Sequence, residues 1–179
     1  MAVVVIGWAV WESGVSKGRP GSDPPTAAGG SAADQPDSDF IGAPAPDFSL
    51  VLFDTGKTVT LSDLKGRPVI LDFFASWCAS CRAEAPTLQQ FGQDYADQGV
   101  VLLGVAIHDS ADGLQRFKRE LGLTYLMGLD EGGGIAASYQ AISIPTFVFI
   151  DREGRIRTTI VGMVGEDRLA AEAEALLES

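Results

Sequence analysis

Cys78 and Cys81 are the only cysteines in this chain of 179 residues. Two residues separate them, and they follow closely on the apolar run at 68–75. A thiol pair at this spacing can cycle between dithiol and disulfide with little backbone movement. At the start of a helix, the helix dipole favours the thiolate that must attack a disulfide. The pattern therefore predicts thiol-disulfide exchange.

Other uses of a cysteine pair fit the sequence less well. A structural disulfide across so short a ring contributes only about 2 kcal/mol in the chain-entropy model. A structural zinc site takes four ligands, whereas the chain offers two cysteines and one histidine, His108. Covalent haem attachment needs a histidine directly after the second cysteine, and Arg82 stands there instead.

The elements that position the pair are predicted in residues 40–179, where apolar segments alternate with turn signals. We predict strands at 47–53, 57–60, 68–75, 100–107, 124–129, 146–151 and 155–161. We predict helices at 79–97, 109–121, 132–140 and 166–177, and a helical turn at 61–64. With right-handed crossovers, this order gives an α/β fold with a mixed sheet between helices and an N-terminal β-hairpin.

The chain before this domain has a different composition. Residues 1–11 are mostly apolar, but the run is about half of the ~20 residues that a membrane-spanning helix needs. Residues 12–39 are rich in Gly, Pro, Ser, Ala and Asp, which predicts a flexible linker with a reach of roughly 30 Å. We expect residues 1–11 to be the remnant of a membrane anchor; the alternative is a start without function.

The net charge of −11 disfavours nucleic acid as a partner. No basic cluster stands out along the chain, and the acidic residues are spread through linker, loops and the last helix. The charge is explained by solubility.

Two stretches together resemble the thioredoxin superfamily: residues 77–86, which hold the cysteines, and residues 144–151, which begin Ile-Pro-Thr. The closer resemblance is to the extracytoplasmic, membrane-tethered thiol-disulfide oxidoreductases of the TlpA, ResA and DsbE (CcmG) type. It covers nearly all of residues 40–179 and implies a thioredoxin-like three-layer sandwich. That group commonly has proline before the second cysteine, whereas this chain has Ser80, and residues between the cysteines tune the redox potential.

Cys78 is the predicted nucleophile, because it lies at the helix N-terminus and is the more exposed of such a pair. Its thiolate attacks a substrate disulfide, and Cys81 then resolves the mixed disulfide. The redox-active Cys78–Cys81 disulfide is the only redox group expected, with no bound cofactor or metal.

Resolution needs a proton acceptor, and two carboxyl groups are candidates. Asp72 interrupts an apolar strand, so desolvation should raise its pKa unless a salt bridge compensates. It resembles the buried aspartate of thioredoxins. Glu84 lies three residues after Cys81 on the same helix face and resembles a glutamate of the cytochrome-maturation group. The alternative for Glu84 is a solvated side chain.

The resemblance also implies a substrate-binding loop. The Ile144–Pro145 peptide bond is cis in that fold, and the backbone of Ile144 would meet an extended substrate segment. Trp77 is expected to cover the disulfide and contact the partner, or else only to pack. His108 follows a predicted strand at its carboxyl end, where functional edges lie, although a loop histidine without a role is the better expectation.

The predicted function is reduction of disulfides in proteins outside the cytoplasm by a monomeric enzyme supplied by a thiol-type membrane donor. Apocytochrome c is one substrate that the resemblance implies. The alternatives are a copper-binding chaperone that uses the cysteines and His108, a thiol peroxidase, and a tethered module without catalysis. The peroxidatic threonine loop of peroxiredoxins is absent around Cys78.

Overall fold

The computed structural model of the protein describes residues 40–179. Its strands are β1 Ser49–Val51, β2 Thr58–Thr60, β3 Val69–Phe74, β4 Val101–Ala106, β5 Leu126–Leu129, β6 Thr146–Ile150 and β7 Ile156–Val161. Its α-helices are α1 Ala79–Ala96, α2 Ala111–Leu121, α3 Gly134–Ser138 and α4 Glu166–Leu177, and a 3-10 helix covers Leu61–Leu64. The predicted membrane-anchor remnant at 1–11 and the predicted linker at 12–39 lie outside the described residues.

A five-stranded mixed sheet forms the centre of the fold, in the order β5-β4-β3-β6-β7. Strands β3, β4 and β5 are parallel, while β6 and β7 are antiparallel to their neighbours. Every residue of β3, β4 and β6 is buried, as expected for strands covered on both faces. The sheet therefore holds the end of β3, directly before the cysteines, in the middle of the molecule.

Each face of the sheet has its own core. One core joins the sheet to α1, α2 and α4 and includes both cysteines. The opposite core joins the sheet to α3, the 3-10 helix and the β1–β2 hairpin. The predicted three-layer α/β fold is thus confirmed, with the hairpin sharing one layer with short helices.

The hairpin is joined to the sheet through β5. Leu52 forms an isolated bridge with Gly128, and the Phe53 amide donates to the Met127 carbonyl at 2.8 Å. The close approach requires a glycine, because a Cβ at position 128 would overlap the carbonyl oxygen of Val51 and lie 2.8 Å from the Leu50 side chain.

The predicted elements agree with the structure in number and order, and their ends differ by a few residues. The second helix begins at Ala111 rather than 109, because the Ser110 side chain caps it by accepting from the Gly113 amide at 3.1 Å. The third helix is shorter than predicted, at Gly134–Ser138. Over residues 40–179, no helix is both long enough and apolar enough to cross a bilayer.

Gly128→Ala should destabilise the domain by roughly 1–3 kcal/mol, since the added methyl group must push the hairpin away from β5. Chemical denaturation of the variant measures this loss. Gly134→Ala is the matched control, because nothing lies within 4 Å of a Cβ there and alanine favours a helix. Equal stability of the two variants would contradict the assigned role of Gly128.

Candidate active site

The cysteine pair lies where β3 ends and α1 begins. Cys78 and Cys81 form a disulfide with their Cα atoms 5.3 Å apart. Cys78 is the N-cap of α1, and its Sγ accepts a hydrogen bond from the Cys81 amide at 3.2 Å. The Ser80 hydroxyl is also 3.2 Å from this sulfur. Cys78 thus occupies the position where amide dipoles stabilise a thiolate.

Exposure separates the two cysteines less than expected. Cys78 is 7% exposed and Cys81 is 4% exposed, so both are buried. Position at the helix terminus, rather than accessibility, distinguishes Cys78 as the candidate nucleophile.

The turn before Cys78 is held by the loop after β4. The Asp109 carboxylate accepts from the Ser76 amide at 2.5 Å and from the Ser76 hydroxyl at 2.9 Å. The Trp77 indole Nε1 donates to the His108 carbonyl at 3.0 Å, and Trp77 is 63% exposed. His108 has a positive φ of 49°, which is uncommon for a residue with a Cβ. Sequence reasoning missed Asp109, because its partner Ser76 lies 33 positions away.

The Ile144–Pro145 peptide bond is cis, as the resemblance implies. Ile144 packs against the core cluster that contains both cysteines. The Pro145 carbonyl accepts from the Gly162 amide at 2.8 Å, which joins this loop to the one after β7. Two exposed apolar side chains belong to these loops, Ile142 at 96% and Met163 at 54%. Substrate binding by Trp77, Ile144 and Pro145 stays a prediction.

Asp72 is buried in the middle of β3, with 2% exposure. Burial, followed by the nearby charge of Glu84, raises the pKa of Asp72 to about 8, and a hydrogen bond from Tyr125 opposes this. Within residues 40–179 no Lys or Arg forms an ion pair with it, so the salt-bridged alternative does not hold. A pKa near neutrality suits a group that accepts and returns a proton.

Glu84 is buried as well, with 3% exposure, so the solvated alternative is wrong. Its Oε1 accepts from the amides of Val164 at 2.6 Å and Gly165 at 3.3 Å, directly before α4. Burial raises the pKa of Glu84, and these two amides partly offset the rise. Its Oε2 has no hydrogen-bond partner in the described part of the chain.

The two cysteines and the two buried carboxyl groups thus lie on one face of the sheet. Tyr125, directly before β5, joins them: its ring belongs to the core cluster of the cysteines, and its hydroxyl lies 3.5 Å from Asp72 Oδ2. Sequence reasoning missed Tyr125, because one tyrosine beside an apolar strand carries no signal of its own. His108 is exposed, and residues 40–179 contain no cluster of three or more metal-ligating side chains.

Comparison with known proteins assigns this arrangement to a family. Residues 41–159 match the AhpC/TSA family. The chain belongs to the AhpC/TSA family. Together with the bonded cysteine pair, its relatives make it a thiol-disulfide oxidoreductase with a thioredoxin-like fold.

Two relatives and one solved structure illustrate the similarity. The chain is 34% identical to the thiol:disulfide interchange protein DsbE of Pseudomonas fluorescens biotype C, over 79% of this chain and 80% of the relative. It is 34% identical to the thiol-disulfide oxidoreductase ResA of Oceanobacillus iheyensis, over 72% and 69% of the two chains. A thioredoxin-family thiol:disulfide interchange protein from Chlorobium tepidum superposes with a TM-score of 0.70, at 27% identity, covering 76% and 97%.

Asp72→Asn should stabilise the oxidised protein increasingly as the pH rises from about 4 to about 8. The folded-state pKa of about 8 exceeds the ordinary 3.8, so the parent loses stability over this range while its unfolded state ionises freely. The difference in free energy of unfolding between the variant and the parent should grow by up to about 1.4 kcal/mol per pH unit. Urea denaturation at a series of pH values measures it.

Asp47→Asn is the control, because this exposed carboxyl has its pKa lowered, chiefly by hydrogen bonding to Ser62. It is already ionised above pH 5, and the effect of its substitution should not change between pH 5 and 8. If the free energies of unfolding of Asp72→Asn and the parent differed by a constant amount from pH 5 to 8, burial would not raise the pKa of Asp72.

Proposed function

We propose that this enzyme reduces disulfides in proteins outside the cytoplasm through a Cys78/Cys81 dithiol-disulfide cycle. The observation that carries the proposal is the bonded pair at the N-terminus of α1, on the same sheet face as two buried carboxyl groups that have no ion-pair partner within residues 40–179. A buried carboxyl such as Asp72 takes up a proton near neutral pH, which the resolving step requires.

In the reduced enzyme, the Cys78 thiolate attacks one sulfur of the substrate disulfide. The substrate S–S bond breaks, a mixed disulfide forms through Cys78, and the other substrate sulfur leaves as a thiolate and takes a proton. Cys81 then gives its proton to the Asp72 carboxylate and attacks Cys78 Sγ. The bond between Cys78 and the substrate sulfur breaks, the Cys78–Cys81 disulfide forms, and the second substrate sulfur leaves as a thiolate and takes the proton back from Asp72. The substrate has gained two electrons and is released as a dithiol.

Glu84 acts on the same step in two ways. Its charge raises the pKa of Asp72, so the Asp72 carboxylate binds the proton of Cys81 more strongly but is ionised in a smaller fraction of the molecules. Its bonds to Val164 and Gly165 fix the loop that reaches Pro145 through Gly162. We assign Glu84 to the proton-transfer group on this basis.

The substrate segment would bind in extended form along the Ile144–Pro145 backbone, with its apolar side chains on exposed Trp77. Apocytochrome c, with its paired haem-site cysteines, is our proposed substrate, because the resemblance of residues 77–86 and 144–151 implies it; the relatives named DsbE and ResA support that resemblance. A thiol-type membrane donor would return the electrons to a monomeric enzyme. In this proposal residues 1–11 tether it to the membrane and 12–39 provide its reach.

Cys81→Ser should stop the cycle at the mixed disulfide. We expect the reduced variant to form a covalent adduct through Cys78 with an oxidised Cys-x-x-Cys-His peptide, which mass spectrometry measures. Cys78→Ser is the matched control and should form no adduct by this route. If Cys81→Ser forms no adduct, the proposed order of attack is wrong. If peptides with other flanking sequences give the same adduct yield, apocytochrome c is contradicted as the substrate, while the order of attack stands.

The reduction potential of the Cys78–Cys81 couple should lie near or below the roughly −270 mV of thioredoxin, because a reductase must donate electrons. Equilibration of the full chain with defined thiol buffers, followed by counting of alkylated cysteines, measures it. Ser80→Pro introduces the residue that the resembling group commonly has. The difference in reduction potential between this variant and the parent gives the contribution of position 80. A potential near the roughly −120 mV of a strong oxidant would reverse the proposed direction.

A further inference from the structure

Position 104 of β4, beside Asp72, has no room for a side chain. Gly104 pairs with Asp72 in the parallel register of β3 and β4. A Cβ at Gly104 would lie 2.9 Å from the Phe74 ring, 3.1 Å from Met127 Cβ and 3.2 Å from the Tyr125 ring. Strand β4 therefore offers Asp72 no side chain at this register position, and the rings of Phe74 and Tyr125 together with Met127 fill the space there.

The hydroxyl of Tyr125 is the one hydrogen-bond partner of the Asp72 carboxyl in the described part of the chain. It lies 3.5 Å from Oδ2, and Oδ1 has no partner. Burial, and then the charge of Asp72, raises the pKa of Tyr125 well above its usual value. The phenol therefore keeps its proton and acts as the donor whenever Asp72 is ionised.

A buried lysine fixes the backbone of Tyr125. Lys118 Nζ donates to the Tyr125 carbonyl at 3.4 Å and pairs with Asp54 Oδ2 at 2.9 Å. Lys118 of helix α2 and Asp54 in the turn of the hairpin thus hold the backbone of Tyr125. Lys118 is only 9% exposed, whereas Asp54 is 52% exposed, so the pair is anchored at its buried end.

We propose that Tyr125 is a positioning residue for thiol-disulfide exchange, which donates a hydrogen bond to Asp72 and holds this carboxyl ready to take the proton of Cys81. The inference rests on the proposed role of Asp72 as proton acceptor. Two groups face Asp72 and act in opposite directions: Glu84 from α1 favours its neutral form, and Tyr125 favours its ionised form. Tyr125 therefore keeps a deeply buried carboxyl within the pH range in which it can exchange a proton.

Tyr125→Phe in the full chain removes the hydroxyl and keeps the ring over Gly104. We expect the titration midpoint of Asp72 to rise by about 0.4 to 1 pH unit, the size of one long hydrogen bond to its ionised form. Carbon-13 NMR of the labelled carboxyl of the reduced enzyme measures this midpoint. The rate of reduction of an oxidised Cys-x-x-Cys-His peptide should fall about two- to tenfold at pH 7, with its pH profile displaced upward by the same amount.

Tyr139→Phe is the matched control, because its hydroxyl also makes a hydrogen bond, a partly buried one to the Pro46 carbonyl at 2.6 Å. Tyr139 belongs to the core on the opposite face of the sheet. Its substitution should lower stability without moving the Asp72 midpoint or the pH profile. A purely structural role for Tyr125 would make the two variants behave alike.

Asp72→Asn, alone and combined with Tyr125→Phe, separates this inference from the proposed function. Loss of the pH dependence in Asp72→Asn, with no further shift in the double variant, supports the inference. An unchanged Asp72 midpoint in Tyr125→Phe overturns the inference and leaves the role of Asp72 standing. An unchanged pH profile in Asp72→Asn instead removes Asp72 from the proposed proton transfer, and the positioning role of Tyr125 is overturned with it.

Discussion

Two carboxyl groups, Asp72 and Glu84, are buried on the sheet face that carries the cysteine pair, and their desolvation shapes the rest of the site. An ionised carboxylate in such surroundings is costly, so each group either takes a proton or finds donors. Glu84 accepts from two backbone amides before α4. Asp72 has only the Tyr125 hydroxyl in the described part of the chain, and the pKa of Asp72 rises to about 8.

Hydrogen bonds to Glu84 and Asp109 hold the loops around Cys78 in place. Glu84 holds the segment at Val164, and two residues earlier the Gly162 amide binds the Pro145 carbonyl. On the other side, Asp109 holds the turn at Ser76. The cysteine helix, the cis-proline loop and the loop before α4 are therefore joined through a few polar contacts, which allows one substitution to affect proton transfer and loop position together.

Much of the fold follows from sequence patterns. Buried strands such as β3 and β4 are continuous apolar runs, and turn signals separate them from the helices, so their order and approximate bounds are predictable. The burial of Asp72 is predictable for the same reason, because it stands inside such a run. Glu84 differs: its position on the helix face of Cys81 is predictable, but its partner Val164 lies 80 positions away. Local periodicity carries no information about such a contact.

The sequence by itself determined the chemistry, since a cysteine pair between a strand and a helix has few other uses, and it indicated Asp72. The Ile144–Pro145 loop followed from the resemblance of residues 144–151. Only the tertiary structure decided how the carboxyls are satisfied, which residues hold the turn at Ser76, and that Tyr125 occupies the space beside Gly104. The physical reason is that the pKa of a group depends on its whole surroundings. Those surroundings come from segments distant in sequence, which only the packed fold brings together.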